Sequence, residues 1–253
     1  MNIHPFCYVC PRDWDLFEQL VRSWYKLGRR ENWTAFFDRT EHPDVRQWSF
    51  CLNSNVTMAY RPDWFAPWCG WKHAMSKLRG WEYMAANTNV LDDDYIVYCD
   101  SDTIFWTDEI LKELDGTDFV GFPHSVTNHV GALGRKWSWF SGCFQAMRAG
   151  AARRLVNTPT DQLEKARQEM LDASLSHNED VVISYLMAKT GASEKKLDSR
   201  KLLEDDCEAA FKGTVEGLRS FSHMQHGNQK FLGTMIQGKW QIPMAVKAAG
   251  IIA

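Results

Sequence analysis

The segment Tyr95-Ile96-Val97-Tyr98-Cys99 is apolar throughout, and Asp100-Ser101-Asp102-Thr103 follows it directly. A strand with one solvated face alternates apolar and polar residues. A run without alternation belongs to a central strand covered on both faces. Such a strand calls for an α/β fold with helices on either side of a sheet. It also delivers two aspartates to the carboxyl end of a strand, where open α/β sheets bind their ligands.

The flanking sequence supports this reading. Residues 6–10 (Phe6-Cys7-Tyr8-Val9-Cys10) read as a buried first strand. Asp13 is placed to cap a helix over 14–27 that carries Leu16, Leu20, Trp24 and Leu27 on one face. Gly28 stands where a helix end takes a left-handed residue. Residues 33–37 read as a second strand, and 42–68 as an irregular surface excursion rich in Trp and Pro. Helical spacing over 70–86 aligns Ala74, Leu78, Trp81 and Ala85. Downstream, the pattern predicts a helix over 109–114 and a strand over 119–122. Helices are expected over 149–156, 162–175 and 178–189, the last capped by Asn178 and followed by Gly191. A final strand is expected over 218–223. Asp92-Asp93-Asp94 reads as a solvated loop. No repeat or Pro/Gly-rich linker interrupts the chain, so a single domain over 1–253 is expected.

Composition narrows the classes. With 29 basic and 32 acidic residues the net charge is −3, which argues against a nucleic-acid binder working by bulk electrostatics. The N-terminal Met1-Asn2-Ile3-His4-Pro5 has no basic region followed by an apolar run, so no signal peptide is expected, and no stretch reaches the roughly 18–20 apolar residues that span a bilayer. The apolar 243–253 tail, broken by Lys247 and Gly250, leaves room for peripheral membrane contact. Seven scattered cysteines argue against a disulfide framework and for a reducing, cytoplasmic setting. Cys7 and Cys10 form a C-x-x-C, but no second pair completes a zinc site, and a buried strand explains them better. The twelve tryptophans suit a core, and Trp137 and Trp139 also suit stacking on an acceptor sugar.

Asp100 and Asp102 are hard oxygen ligands suited to Mg²⁺ or Mn²⁺, with coordination positions left for water and phosphates. Two aspartates in a turn are also common on solvated surfaces, but delivery by an apolar strand favours a site. The haloacid-dehalogenase phosphatases share part of this signature, with the first Asp as nucleophile. Here the fifth position is Ile104 rather than Thr or Val.

Four further blocks accompany the D-x-D. They are Ser76-Lys77-Leu78-Arg79-Gly80-Trp81, Phe140-Ser141-Gly142-Cys143-Phe144, Asn178-Glu179-Asp180, and His223-Met224-Gln225-His226-Gly227-Asn228-Gln229-Lys230. In order and spacing, over roughly 70–231, the set resembles the GT-A-fold nucleotide-sugar glycosyltransferases. The likeness is greatest to family 8, the glycogenin and lipopolysaccharide galactosyltransferase group. The resemblance implies a GT-A domain, Rossmann-like, with a mostly parallel sheet. Residues 1–105 would form its nucleotide-binding half, 106–240 its sugar and acceptor half, and 241–253 a tail. It implies a nucleotide diphosphate sugar as donor, a UDP-sugar foremost, with Mn²⁺ or Mg²⁺ and a carbohydrate acceptor. Asp100, Asp102 and one of His223 or His226 are the implied metal ligands. Lys77, Ser141, Gly142, Gly227 and Lys230 are the implied donor contacts. Glu179 or Asp180 would face the acceptor. Phe231-Leu232 stands where the family has Pro-Trp, and the histidines are out of register with its single His. Family 8 implies retention of configuration, whereas an E-D pair suggests inversion. A phosphatase using Asp100, and a non-catalytic carbohydrate-binding protein on a transferase fold, are the alternatives.

Overall fold

The computed structural model describes residues 1–9, 14–38, 43–61, 70–101, 103–105, 107–125, 133–198, 203–204 and 221–223. In chain order the elements begin with β1 (Ile3–Val9), α1 (Trp14–Lys26), β2 (Trp33–Asp38), α2 (Val45–Asn53), β3 (Val56–Arg61) and α3 (Trp71–Ala85). They continue with β4 (Tyr95–Cys99), β5 (Thr103–Phe105), α4 (Glu109–Lys112), β6 (Phe119–Ser125) and β7 (Trp139–Arg148). Then come α5 (Ala149–Val156), α6 (Thr160–Asp172), α7 (Glu179–Lys189), β8 (Glu194–Lys196), β9 (Leu203–Glu204) and β10 (Phe221–His223). Seven strands form the main sheet in the order β3-β2-β1-β4-β7-β6-β8. Only the two pairings of β7 are antiparallel, so β7 alone runs against its neighbours. The mostly parallel α/β sheet expected from the sequence is present.

The central run is apolar because its side chains feed two cores. Tyr95, Val97 and Cys99 join a cluster with Trp14, Phe17, Leu20, Val21 and Trp24 of α1. Ile96 and Tyr98 join a second cluster built largely from α3, α5 and α7. β1 divides in the same way, with Cys7 and Val9 on one side and Phe6 on the other. Trp14, Trp24, Trp33, Trp81 and Trp137 all lie in these cores, and each such burial contributes on the order of 2–3 kcal/mol. Trp137 packs edge-on against Tyr185, so stacking on a sugar is not its role, while Trp139 is half-buried against the same core. The expected α3 stripe of Ala74, Leu78, Trp81 and Ala85 is buried. The α1 stripe is turned from the expected one: Trp14, Phe17, Leu20, Val21 and Trp24 face inward, and Leu16 is half-buried. Gly28 and Gly191 take the left-handed conformation after α1 and α7, at φ 79° and 76°.

Two expectations need correction. Residues 42–68 are not all irregular, because they contain α2 and the edge strand β3. A capping box starts α2: Gln47 N donates to Asp44 Oδ1 at 2.8 Å, and Asp44 N donates to Gln47 Oε1 at 2.9 Å. Ser141-Gly142 lies near the start of the ten-residue strand β7. The acidic triplet is only partly solvated. Asp92 and Asp93 pair at the surface with Arg153 and Arg148, but Asp94 is 1% exposed.

Asp94 ties the first residues of the chain to the loop before β4. Its carboxylate accepts from Asn2 N at 2.7 Å and Leu91 N at 3.1 Å, and His4 Nε2 lies 3.2 Å away. Burial alone would raise its pKa, but these hydrogen bonds prevail and bring it from 3.8 down to about 2. A depressed carboxylate stabilises the fold above its unfolded pKa, and that contribution is lost as pH falls through the folded one. Asp94→Asn is expected to lower unfolding free energy by about 2 kcal/mol, the scale of hydrogen bonds to a charged group. The gap between the urea midpoints of the two proteins should close between about pH 4 and pH 2.

After β4, Thr103 Oγ1 donates to Asp100 O at 2.8 Å. The chain then enters β5, which forms a second sheet in the order β5-β10-β9. Cys7, Cys51, Cys99 and Cys143 are buried, consistent with strand and core roles. No helix among the described residues is long and apolar enough to cross a membrane. Cys10, Asp13, Asp102, His226, Gly227, Lys230 and the 241–253 tail lie outside the described residues, as does the side chain of His223.

Candidate donor and metal site

The carboxyl ends of β1 and β4 meet the middle of α3, strand β7 and the start of α7. Asp100 leaves β4 two residues after Tyr98. Side chains two apart on a strand share a face, and Tyr98 Oη donates to Asp100 Oδ1 at 2.5 Å. The Tyr98 ring is 5% exposed and packs against Phe6 and Tyr8, with centroids 5.2 and 5.8 Å away.

Lys77 sits on the buried side of α3 and is 2% exposed. The helix is pinned beneath it: Tyr8 Oη donates to Ser76 O at 3.3 Å and Lys77 O at 3.0 Å. This approach needs Gly80, because a Cβ there would collide with the Tyr8 hydroxyl. Lys77 Nζ donates to Asp180 Oδ1 at 2.8 Å and lies 4.0 Å from the centroid of the Tyr98 ring. Burial works against the ammonium, but the Asp180, Glu179 and Asp100 carboxylates outweigh it, and the Lys77 pKa rises.

Helix α7 is buried from Val181 to Ala188, on all faces, and presents Glu179 and Asp180 at its first turn. It is fixed to β7 by Phe140 N donating to Ser184 Oγ at 3.1 Å. Gly142 N donates to Asp180 Oδ2 at 2.6 Å, so both Asp180 oxygens are engaged. A Cβ at Gly142 would fall 2.6 Å from Asp180 Oδ1, which is why a side chain is excluded at this point of β7. Half-buried Ser141 precedes it, with Cys143 N donating to its Oγ at 3.5 Å. Glu179 is oriented differently: its Oε1 lies 3.9 Å from His73 Nε2. Burial raises the Glu179 pKa. Lys77 opposes that rise, and Asp180 and Asp100 add to it.

Lys77, Asp100, Gly142, Glu179 and Asp180 thus gather although they come from four separate elements. Three carboxylates act on one buried ammonium. Strand β10 adds a further element, since its register sets His223 opposite Thr103, next to the acidic turn. Among the described residues alone, no three His, Cys, Asp or Glu side chains form a ligand set. Of the ligands expected from the sequence, Asp100 has a described side chain, while Asp102 and the side chains of His223 and His226 lie outside the described residues.

Sequence reasoning missed Tyr98, Tyr8 and His73. Two of them had a signal. Tyr98 shares a strand face with Asp100, and His73 stands four residues before Lys77, which places both on one helix face.

No family model matches the chain, and no curated protein sequence matches it. Solved structures do. The galactosyltransferase LgtC, in complex with donor and acceptor sugar analogues, superposes with a TM-score of 0.60 at 10% identity. That match covers 98% of this chain and 96% of LgtC. The bifunctional glycosyltransferase WbbM gives 0.54 at 8% identity, over 99% of this chain and 51% of WbbM. The glycosyltransferase GlyE of Streptococcus pneumoniae TIGR4 gives 0.53 at 12% identity, over 90% of this chain and 57% of GlyE. The chain has the fold of these glycosyltransferases, the GT-A α/β fold that its motifs led us to expect.

Proposed function

We propose that this protein is a metal-dependent glycosyltransferase that moves a sugar from a nucleotide diphosphate sugar, a UDP-sugar foremost, to a hydroxyl of a carbohydrate acceptor. One observation carries the reading. On a glycosyltransferase fold, Asp100, Lys77, Gly142 and Asp180 meet at the carboxyl end of the central strand. Residues 1–105 take the nucleotide, with the nucleoside near Cys10 and Pro11, and 106–240 take the sugar and acceptor.

Asp100, Asp102 and one of His223 or His226 would hold Mn²⁺ or Mg²⁺. When bound, the cation supplies Lewis-acid stabilisation of the leaving diphosphate. Lys77 and Lys230 add positive charge where negative charge develops, and Gly227 lets the backbone approach the phosphates. Ser141 and Gly142 line the donor sugar. Asp180 is held on both oxygens, which supports a role in shaping the donor pocket rather than in moving a proton. Glu179, beside His73 and with its pKa raised, is the better candidate to accept the acceptor's proton.

The direct test is thermal unfolding with UDP, GDP and their sugars, each with Mn²⁺ and with EDTA. A ligand that binds only the folded state at about 100 times its Kd adds about 2.7 kcal/mol. A rise in midpoint with UDP and Mn²⁺, absent with EDTA and absent in Asp102→Ala, is the expected result. No rise with any nucleotide would remove the donor site and leave Asp100 to a hydrolytic reading.

A further inference from the structure

We infer that Tyr98 is a positioning residue that sets the Asp100 carboxylate for the metal and the Lys77 ammonium for the donor through one ring. The inference rests on the transferase reading above. Its basis is the geometry of a single side chain. The hydroxyl donates to Asp100 Oδ1 at 2.5 Å, and the ring lies 4.0 Å from Lys77 Nζ. A hydrogen bond to a carboxylate is stronger than a neutral one and fixes the rotation of a short Asp side chain. A cation over an aromatic ring is attracted by its π-electrons and restrained in position.

Tyr98 is itself held rigidly. It stands on a strand flanked by β1 and β7, is 5% exposed, and is wedged against Phe6 and Tyr8. Sites mounted on such elements keep their geometry better than sites on loops. An ordinary phenol holds its proton at neutral pH, so the hydroxyl is a donor to the carboxylate. Outer partners of this kind orient metal ligands, and their loss weakens metal binding roughly 10- to 100-fold. What distinguishes Tyr98 is that its ring also faces the cation on α3. Metal-side and donor-side charges are thereby referenced to the same rigid group.

The test uses the full chain with saturating UDP, titrated with Mn²⁺ and followed by the electron paramagnetic resonance signal of the free ion. Tyr98→Phe keeps the ring and removes the hydroxyl. Its Mn²⁺ Kd is expected to rise roughly 10- to 100-fold, while its unfolding midpoint in EDTA stays within about 3 °C of the parent. Transfer by this variant should recover at Mn²⁺ concentrations that saturate it, a rescue that a merely structural defect would not show. Tyr98→Leu, which removes the ring as well, should raise the KM for donor further at saturating Mn²⁺. Parent-like Mn²⁺ affinity in Tyr98→Phe, alongside loss of binding in Asp100→Asn, would overturn this inference alone. Unchanged Mn²⁺ binding in Asp100→Asn, or none in the parent, would overturn the metal reading and this inference with it.

Discussion

Lys77→Met is expected to remove about 3 kcal/mol of stability and most donor affinity together. Breaking a buried ion pair by deleting one partner typically costs about 3–5 kcal/mol, because the other charge is left uncompensated. The lower figure fits here, since Asp180 is 20% exposed and keeps its bond from Gly142 N. Because the Lys77 pKa is raised above 10.5, its contribution is fully present below that value and is lost only as pH rises past it. The gap between parent and variant should therefore be equal at pH 6 and pH 9, as read from denaturant midpoints. Lys77→Arg should not rescue either property, since a planar guanidinium does not fit a site that is 2% exposed beneath the Tyr98 ring. The double variant Lys77→Met/Asp180→Asn separates the roles. Removing both charges should restore much of the stability, with a coupling energy measurable in a double-mutant cycle, and should restore no donor binding. Recovery of UDP-sugar binding in the double variant would reduce the pair to a structural strut.

The central strand and its acidic end were legible because burial on both faces imposes a pattern that needs no partner to be recognised. The motif residues were legible as types, and the fold then brought Lys77, Asp100, Gly142, Glu179 and Asp180 together. What stayed hidden was pairing. Nothing local shows that Asp94, third in an acidic run, folds back onto Asn2 and His4. Its bonds span some ninety residues and depend on β1 lying beside β4. α2 and β3 were masked by the Trp and Pro content of 42–68, although Asp44 and Gln47 carried a capping signal. The reversal of β7 is likewise invisible, because a strand's direction is set by its connections and not by its composition. The choice between Glu179 and Asp180 is the most telling case. Adjacent carboxylates at a helix start look equivalent in sequence. In the fold, one is clamped by Lys77 and Gly142 while the other is half-buried beside His73.

That asymmetry leads to the second large effect. Glu179→Gln is expected to lower kcat by about 10²–10⁴-fold, the usual contribution of a positioned general base, with little change in the KM for donor. The same substitution should make the protein more stable at neutral pH. A carboxyl whose pKa is raised by burial is more costly to ionise in the folded chain than in the unfolded one. Below the ordinary value of 4.5 both states are protonated and the difference vanishes. Above the raised folded value the full penalty applies, and the uncharged amide escapes it. The stability gain of Glu179→Gln should thus be absent near about pH 4 and constant once the parent carboxyl has ionised. The parent's rate should fall as pH is lowered through the raised pKa, and the residual rate of the variant should lose that limb. Asp180→Asn should behave oppositely, being less stable at neutral pH because it weakens the Lys77 and Gly142 contacts. A Glu179→Gln variant that loses stability and keeps its turnover would reverse the assignment and return the proton-accepting role to Asp180. If it gains stability while losing turnover, the half-buried charge beside His73 is held at a cost to the fold, as expected of a carboxylate kept for chemistry.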